Sequence, residues 1–592
     1  MENLAQQALA RARQGHFEWE MARRPDVVAS LDRPAMEVAH WVAVDVVLQP
    51  AAAAPPEFAA LKRWLAVLES AAIGALFGAF EAERLAADLG SGRALRLTLL
   101  LERARLDALA GAGLPEFAVL VQAIGAPFLP DAISWPVGWL PKTIMMAMPA
   151  APVSDDPAVA APPETGPLVG IIDDGIACLN KRFCRRVGTG LRTRFEAVWL
   201  QSELLGPAPS GRLEVPFGAV LERADLDRQL AGGQPEAQLY RSLNAALYPL
   251  PSQQATNTNL AHGTHVLDLA AGEAPETGGG TLLAVQLAPG TMLDTSGRRL
   301  EMFLVMGLRW MAHRALALDR DLVVNLSLGS LAGPGDATNF VASAIAAEIA
   351  RFTQLSGQRH GPGRGRRMRV VIAYGNSWRA NLVADFALEA GAARAVDWRI
   401  LPDGCSSSYL ELRVPKGAQA VRVTLAPPNG AGALAWTIGA PGPAPVLPGP
   451  GGQPIARILP LPQEPDAEAV LLAVASSASL LPGQGDLAPA GAWTVTVTAT
   501  QAGCAVTMRA QRNDTPVGYR LYGRQSYLAD AGLGARDAET RDYSCPERAP
   551  GAASALTRQG TANAYAGLAD VAADAASGVY YVGATRPDPG AL

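Results

Sequence analysis

Val169-Gly-Ile-Ile-Asp-Asp-Gly-Ile176 opens as an apolar run and closes on two carboxylates and a glycine. Extended back to Leu168, the run reads as a strand buried on both faces, the kind that fills the middle of a parallel sheet. Gly175 breaks it, so Asp173 stands at the strand's carboxyl end, where α/β sheets assemble their sites. On its own the Asp-Asp-Gly tip is also ordinary turn chemistry. Two more segments repeat the pattern of a polar group held at the end of an apolar element. Ala261-His-Gly-Thr-His-Val266 leads into the helix-like Val266-Leu-Asp-Leu-Ala-Ala-Gly272, with Gly263 allowing close backbone approach behind His262. Val370-Val-Ile-Ala-Tyr-Gly-Asn376 is a second apolar strand with Asn376 at an exposed tip.

An Asp, a His and an Asn presented in this way make up most of the machinery of acyl transfer. A serine hydroxyl needs a neutral imidazole to take its proton. That imidazole needs a carboxylate on its other ring nitrogen to hold its tautomer and orientation. The developing oxyanion needs aimed donors, often a backbone N–H and an Asn amide. The chain has only six histidines, so His262 and His265 together in one tetrad stand out. The plain alternatives are a zinc pair or a helix-start His with no role, and no Cys or His cluster supplies the further ligands that zinc would need. No metal and no cofactor are expected.

Taken in this order and spacing, the three segments resemble the subtilase family, the subtilisin-like serine proteases (peptidase family S8). The likeness continues between them. Leu282-Leu-Ala-Val-Gln-Leu287 resembles the family's strand after the His helix, and Arg298 to Leu318, with Trp310, resembles the next helix. Asp321-Leu-Val-Val-Asn-Leu-Ser-Leu-Gly-Ser330 resembles the strand and Ser-Leu-Gly segment that pairs with substrate backbone. The resemblance implies that Asp173 orients the imidazole, that His262 acts as general base and then acid, and that Asn376 contributes to the oxyanion hole. Ser327, Leu328 and Gly329 would bind substrate. Asp174 replaces the Ser or Thr of many relatives, and His265 matches a structural His.

The family's Gly-Thr-Ser-x-Ala nucleophile segment does not occur. One reading puts it at Gly560-Thr-Ala-Asn-Ala-Tyr-Ala-Gly567, with Ala562 at the position of the serine. Against that, Ala566 stands where the family has Pro, and Ser577-Gly578 interrupts the helix that should follow. The other reading takes Gly578-Val-Tyr-Tyr-Val-Gly-Ala-Thr585 as the strand that precedes the nucleophile, with the serine expected beyond Leu592. The second reading is favoured. On either, the expected activity is that of a serine endopeptidase, with this polypeptide inactive for want of its nucleophile. The alternatives are a non-catalytic protein that binds peptides or partners through the same cleft, and a protease subunit completed by another segment.

Composition narrows the setting. A chain of 592 residues that is 49% hydrophobic is long enough for roughly two to four domains. A net charge of −5 and a pI near 5.8 give no nucleic-acid footprint. Arg364, Arg366 and Arg367, interleaved with Gly and Pro, read as a solvated loop. The five cysteines are an odd, scattered set that fits a reducing compartment better than a disulfide framework. The first residues lack a basic start followed by an apolar core, so no secretory leader is expected. The most apolar stretch, Ala59 to Phe80, carries Lys62, Arg63 and Glu69 and reads as a buried helix rather than a membrane span. Together these make a cytoplasmic protein the expectation, with a protein or peptide substrate and neither nucleic acid nor membrane as partner.

The fold class expected is α/β: a subtilisin-like parallel sheet flanked by helices, with two additions. Residues 1–135 read as a helical N-terminal domain that is a candidate surface for a partner protein. Leu61 to Leu89 and Arg93 to Leu109 carry helical apolar spacing there. Residues 136–166 read as a linker, and 167–395 as the first part of the catalytic domain. Residues 396–512 alternate in stretches such as Trp493-Thr-Val-Thr-Val-Thr-Ala499 and read as an inserted jelly-roll-like β-sandwich. Residues 513–592 read as the second catalytic part.

Overall fold

The computed structural model describes residues 19, 40–50, 84, 87–88, 90–91, 95–102, 128–134, 139–141, 166–201, 215, 219–247, 261–287, 298–329, 340–361, 363–377, 380–418, 420–430, 432–461, 466–479, 485–513, 523–530, 532, 554–557 and 578–582.

The first sheet overturns the helical reading of the N-terminal region. Strand β1 (His40–Pro50) pairs antiparallel with β2 (Leu95–Glu102), β3 (Phe128–Ser134) and β4 (Trp139–Pro141). The stretch expected as a helix from Arg93 to Leu109 therefore contains a strand, and the expected linker contains β4. The misreading has a local cause. Leu is a strong helix former, but Leu95-Arg-Leu-Thr-Leu-Leu-Leu-Glu102 also repeats Leu at every second residue, and pairing with Val-rich β1 selects that period. Arg84, Ala87 and Asp88 are helical, inside the predicted Leu61–Leu89 helix, whose other residues mostly lie outside the described set.

The central sheet carries the site. Its chain order runs β5 (Leu168–Asp173), a hairpin β6 (Cys184–Val187) and β7 (Gly190–Thr193), β8 (Phe195–Leu200) and β9 (Ala219–Glu222). Three helices follow, α1 (Arg223–Ala231), α2 (Glu236–Leu247) and α3 (His262–Ala271). Then come β10 (Leu282–Gln286), α4 (Arg298–Ala317), β11 (Leu322–Leu326), α5 (Phe340–His360) and β12 (Met368–Ala373). The hairpin stands apart as its own two-stranded ribbon.

The inner strands β5 and β10 are buried on both faces, and the alternation sorts the sheet's residues. Ile172, Leu283, Val285 and Val324 point into one core with Leu304, Leu308 and Met311 of α4 and Ile345 and Phe352 of α5. Ile171, Leu282 and Ala284 point into the other core with Leu226 of α1, Leu239 of α2 and Leu267 of α3. A Cβ at Gly170 would stand 2.8 Å from Met311 Sδ, so glycine there lets α4 lie close on the sheet.

From residue 383 the chain changes architecture. Strands β13 (Val383–Leu388), β14 (Ala393–Ile400), β15 (Ser408–Pro415), β16 (Val421–Ala426), β17 (Leu434–Thr437) and β18 (Val446–Pro448) are followed by β19 (Pro454–Pro460), β20 (Ala467–Val474), β21 (Gly491–Ala499) and β22 (Cys504–Ala510). Short β23 (Tyr527–Ala529) and β24 (Leu556–Thr557) complete two antiparallel sheets ordered β18-β19-β20-β15-β22-β13-β24 and β17-β16-β21-β14-β23. Val396, Trp398, Val495 and Val497 from one sheet share a core with Leu410, Leu412, Leu472 and Met508 from the other. These pairings draw in strands on both sides of the expected 396–512 insertion. β13 and β14 begin before residue 396, and β23 and β24 follow residue 512. The local pattern marks the long alternating strands, whereas the short flanking ones are decided by their partners.

Finally β25 (Val579–Val582) returns to the central sheet, giving the order β25-β12-β11-β5-β10-β8-β9. All its pairs are parallel except β8–β9.

Candidate active site

Asp173 is the last residue of β5 and fully buried, and His262 is the first residue of α3. The imidazole Nδ1 lies 2.8 Å from Asp173 Oδ1, so the ring N–H donates to the carboxylate and leaves Nε2 facing outward. The His262 side chain is 49% exposed while the carboxylate is sealed beneath it, which is the arrangement a general base needs: oriented from below, open from above.

Local backbone interactions explain why this pair forms. Gly263 N–H donates to Asp174 O at 2.9 Å, and a Cβ at 263 would sit 2.3 Å from that oxygen and 2.9 Å from Asp173 Cβ. Only glycine lets the first turn of α3 close onto the tip of β5. Thr264 Oγ1 donates to Gly175 O at 2.6 Å and accepts from Ala177 N–H at 2.8 Å, fastening helix to turn from both sides. Gly175 has φ +59°, the left-handed conformation that the turn after Asp173 requires. Buried Gln286 at the end of β10 accepts from Ile176 N–H at 2.9 Å, and Leu287 N–H donates to Asp173 O at 2.8 Å. Thr264 and Gln286 were not singled out from the sequence. Their spacing shows nothing, because each bonds to a turn far away in the chain.

The electrostatics follow from burial. Loss of water raises the Asp173 carboxyl, with the His262 hydrogen bond pulling it back down. One of its oxygens, Oδ1, accepts from both His262 and Asp174 N–H, at 2.8 Å each, and Oδ2 has no hydrogen-bond partner among the described residues. His262 is held above its ordinary value, chiefly by the hydrogen bond to Asp173. A helix N-terminus alone would oppose the imidazolium, so the buried carboxylate outweighs it. The two groups titrate as a pair. Asp173, Asp174 and His262 also place three donor atoms within 4.8 Å of one another, near enough for a cation. The His262–Asp173 bond already occupies that space with a complementary pair.

The remaining sequence-derived residues fall at the same end of the sheet. Ser327, Leu328 and Gly329 continue from the carboxyl end of β11, next to β5, with Ser327 Oγ donating to Asn325 Oδ1 at 2.9 Å. Asn376 follows β12, one strand further, and is exposed on a loop where Gly375 has φ +122°. The Asp, the His, the Ser-Leu-Gly segment and the Asn thus share the carboxyl edge of one parallel sheet, as the open α/β architecture favours.

A family model described as the subtilase family matches residues 164–400, which span β5 to β14 and include Asp173, His262, Ser327 and Asn376. This part of the chain is subtilase-like. Among solved structures, the CspB protease of Clostridium perfringens is similar at 16% identity and a TM-score of 0.41, covering 62% of this chain and 64% of that one. That likeness is too distant to carry an argument. No curated protein matches the chain.

The subtilase-like sheet also bears on the nucleophile. Ala562 lies outside the described residues. β25 does join the sheet, pairing in parallel with β12 from Val370↔Val579 to Ala373↔Val582. Among the described residues it is an edge strand: Val579 is buried, Tyr581 packs on the core and Val582 is 60% exposed. An edge strand has a neighbour on one side only, which leaves its tip in water.

Proposed function

We propose that this subtilase-like protein is built for serine endopeptidase chemistry, hydrolysing peptide bonds through an acyl-enzyme. The observation that carries the reading is the Asp173–His262 pair, buried below and open above, at the carboxyl edge of a parallel sheet. In the proposed mechanism a peptide lies in extended form along Ser327-Leu-Gly329. His262 takes the nucleophile's proton and returns it to the leaving amine. Asp173 holds the ring and stabilises the imidazolium. The Asn376 side chain donates to the oxyanion, a contribution typically worth about 3–4 kcal/mol in transition-state stabilisation.

The nucleophile is the missing part. Val582 pairs with Ala373, so residues after β25 leave the sheet at the same edge as those leading to Asn376. That supports a nucleophile delivered from beyond β25 over one at Ala562. No serine of this sequence stands in a nucleophile motif, so the polypeptide is proposed to be inactive by itself. Losing a triad nucleophile leaves only weak residual catalysis. The second reading, a cleft that binds peptides without cutting them, is favoured by the same lack. The reducing compartment is supported by Cys178, Cys184, Cys405 and Cys504, all free thiols. No helix among the described residues is long and apolar enough to cross a membrane.

A fluorophosphonate probe tests the reading. The purified chain is expected to remain unlabelled. A chain extended with a subtilase nucleophile segment after residue 592 is expected to be labelled, and to lose labelling in His262→Ala. Stoichiometric labelling of the unextended chain would refute the missing nucleophile, and labelling that survives His262→Ala would refute the role of the dyad.

A further inference from the structure

We propose that the antiparallel sheets carry a slot for the N-terminal segment of the same chain, with Trp19 as its anchor. Filling that slot steadies the end of the sheets that receives the chain from Asn376.

Trp19 is fully buried, and it belongs to the core of the antiparallel sheets together with Trp398, Tyr409, Leu410, Val495 and Leu528. All other members of that core lie between Ala380 and Leu556, so Trp19 enters it from the far end of the chain. An indole suits the task of an anchor. It buries about 150–250 Å² of surface and carries one N–H that needs a partner once water is gone. That partner is present: Trp19 Nε1 donates to Ser407 Oγ at 3.1 Å.

The acceptor is held ready by its neighbours. Ser406 Oγ donates to Asn513 O at 3.2 Å, and Ser408 Oγ accepts from Asn513 Nδ2 at 2.7 Å. Both residues beside Ser407 are thus tied to one buried asparagine, which fixes the backbone that presents the Ser407 hydroxyl. A pre-set acceptor lowers the ordering cost of docking a segment against it. The position in the sheet also matters. Ser407 directly precedes β15, whose Leu410 pairs with Ala510 of β22. Ala510 N–H donates to Leu382 O at 2.8 Å, and Leu528 N–H donates to the neighbouring Asn381 O at 2.8 Å. Trp19 therefore docks at the end of the sheets by which the chain arrives from Asn376.

A second contact argues that the occupant is the chain's own segment. Further along the N-terminal region, Arg84 pairs with Glu348 of α5 at 3.6 Å, and Asp88 Oδ1 accepts from Arg351 Nε of α5 at 3.1 Å. All four side chains are buried. The N-terminal region thus meets the antiparallel sheets through Trp19 and the helices behind the dyad through Arg84 and Asp88. The downstream contact keeps Trp19 at high effective concentration beside its slot, which favours the segment of the same molecule over that of a second copy.

The experiment uses the full chain with a specific protease site inserted between Pro25 and Pro34, so that the Trp19 segment is cut free after folding. Gel filtration then shows whether the fragment stays bound. Wild type should retain it, Trp19→Phe should hold it more weakly, and Trp19→Ala should bind it about a hundredfold or more weakly, the scale of losing a buried indole. Ser407→Ala, which removes only the acceptor, should weaken retention by about tenfold. To keep folding out of the comparison, the cut wild-type protein is also challenged with a fluorescent peptide covering Gln14–Arg24. That peptide should displace the native fragment, and its Trp19→Ala version should not. Release of the fragment should accelerate hydrogen exchange at the Ala510 and Leu528 amides while residues 282–286 of β10 stay protected. A fragment that leaves wild type on cutting, equal retention by Trp19→Ala, or displacement that does not depend on Trp19 overturns the anchor. Unchanged exchange at Ala510 and Leu528 after release overturns the steadying role. Tagged and untagged copies are also mixed before cutting, and capture of an untagged body by a tagged fragment would assign the slot to a second copy and overturn the occupancy within one chain.

Discussion

At the scale of residues, His262 depends on what lies beneath it. Its pKa is raised by Asp173, so protonation is more favourable in the folded protein than in the unfolded chain. The resulting stabilisation is fully present below the ordinary histidine value near 6.5 and is lost as pH rises through the higher folded value. Asp173→Asn should therefore lower the His262 titration midpoint by NMR, and the stability gained on acidification through that window should shrink with it. In a complete enzyme the base form would appear only above the raised midpoint, so the acid limb of the rate profile should move to lower pH in the same variant as its rate collapses. Gly263→Ala is a sharper probe of fit. The new methyl would stand 2.3 Å from Asp174 O, a backbone atom that cannot rotate away. Overpacking of this kind typically costs about 1–3 kcal/mol. Denaturant titration should show that loss, and His262 should titrate closer to an ordinary imidazole.

At the scale of elements, the strands β5 and β12 were legible because each carries an apolar run that ends in a glycine-containing turn. The tips Asp173 and Asn376 were legible because a polar residue at the end of such a run marks the carboxyl edge of a sheet, where sites are built. β2 was not legible, because a Leu-rich stretch satisfies helix and strand alike until β1 is beside it. β25 tests how firmly a four-residue strand can be held. Gly578 just before it has φ +82°, its carbonyl accepts from Val370 N–H at 2.8 Å, and a Cβ there would meet Met368 O at 2.9 Å. Gly578→Ala should therefore weaken the docking of β25 specifically, by about 1–3 kcal/mol for the strained backbone. Hydrogen exchange at residues 579–582 should accelerate while residues 322–326 in β11 stay protected. Uniform protection in the variant would show that the strand is held by its side chains and not by its entry turn.

At the scale of the molecule, a buried charge cluster joins the N-terminal region to the helices behind the site. Glu348 of α5 accepts from Arg309 Nε of α4 at 2.9 Å and pairs with Arg351 at 2.5 Å and Arg84 at 3.6 Å. Arg351 also reaches Asp88, whose Oδ1 is 3.1 Å from its Nε. All five side chains are buried. The surrounding guanidinium groups hold the Glu348 carboxyl far below the usual range against the cost of burial, so its contribution persists above the ordinary carboxylate value and is lost only at strongly acid pH. Removing one member of such a cluster strands the others. Glu348→Gln should cost about 3–5 kcal/mol, read as a lowered melting temperature. If the cluster anchors the N-terminal region, limited proteolysis should cut that region before the sheet. Exposed pairs at the molecular surface behave differently: Arg366 pairs with Asp319 at 3.0 Å in the loop after α5, the solvated role expected of that basic stretch, and its loss should change little.

What the sequence determined by itself was the parallel sheet and the residues at its carboxyl edge, because burial on two faces and the polar tip that follows are both written within a few neighbouring positions. Asp173, His262, Ser327 and Asn376 could be named from such local runs. Only the tertiary structure decided that Leu95–Glu102 is a strand, that the antiparallel sheets recruit residues 383–400 and 527–529, and that Thr264 and Gln286 lock the turn below the dyad. Each of these is a choice made by a partner distant in the chain. Local propensity leaves more than one state open there, and the free energy that selects between them is gained only when the partner arrives.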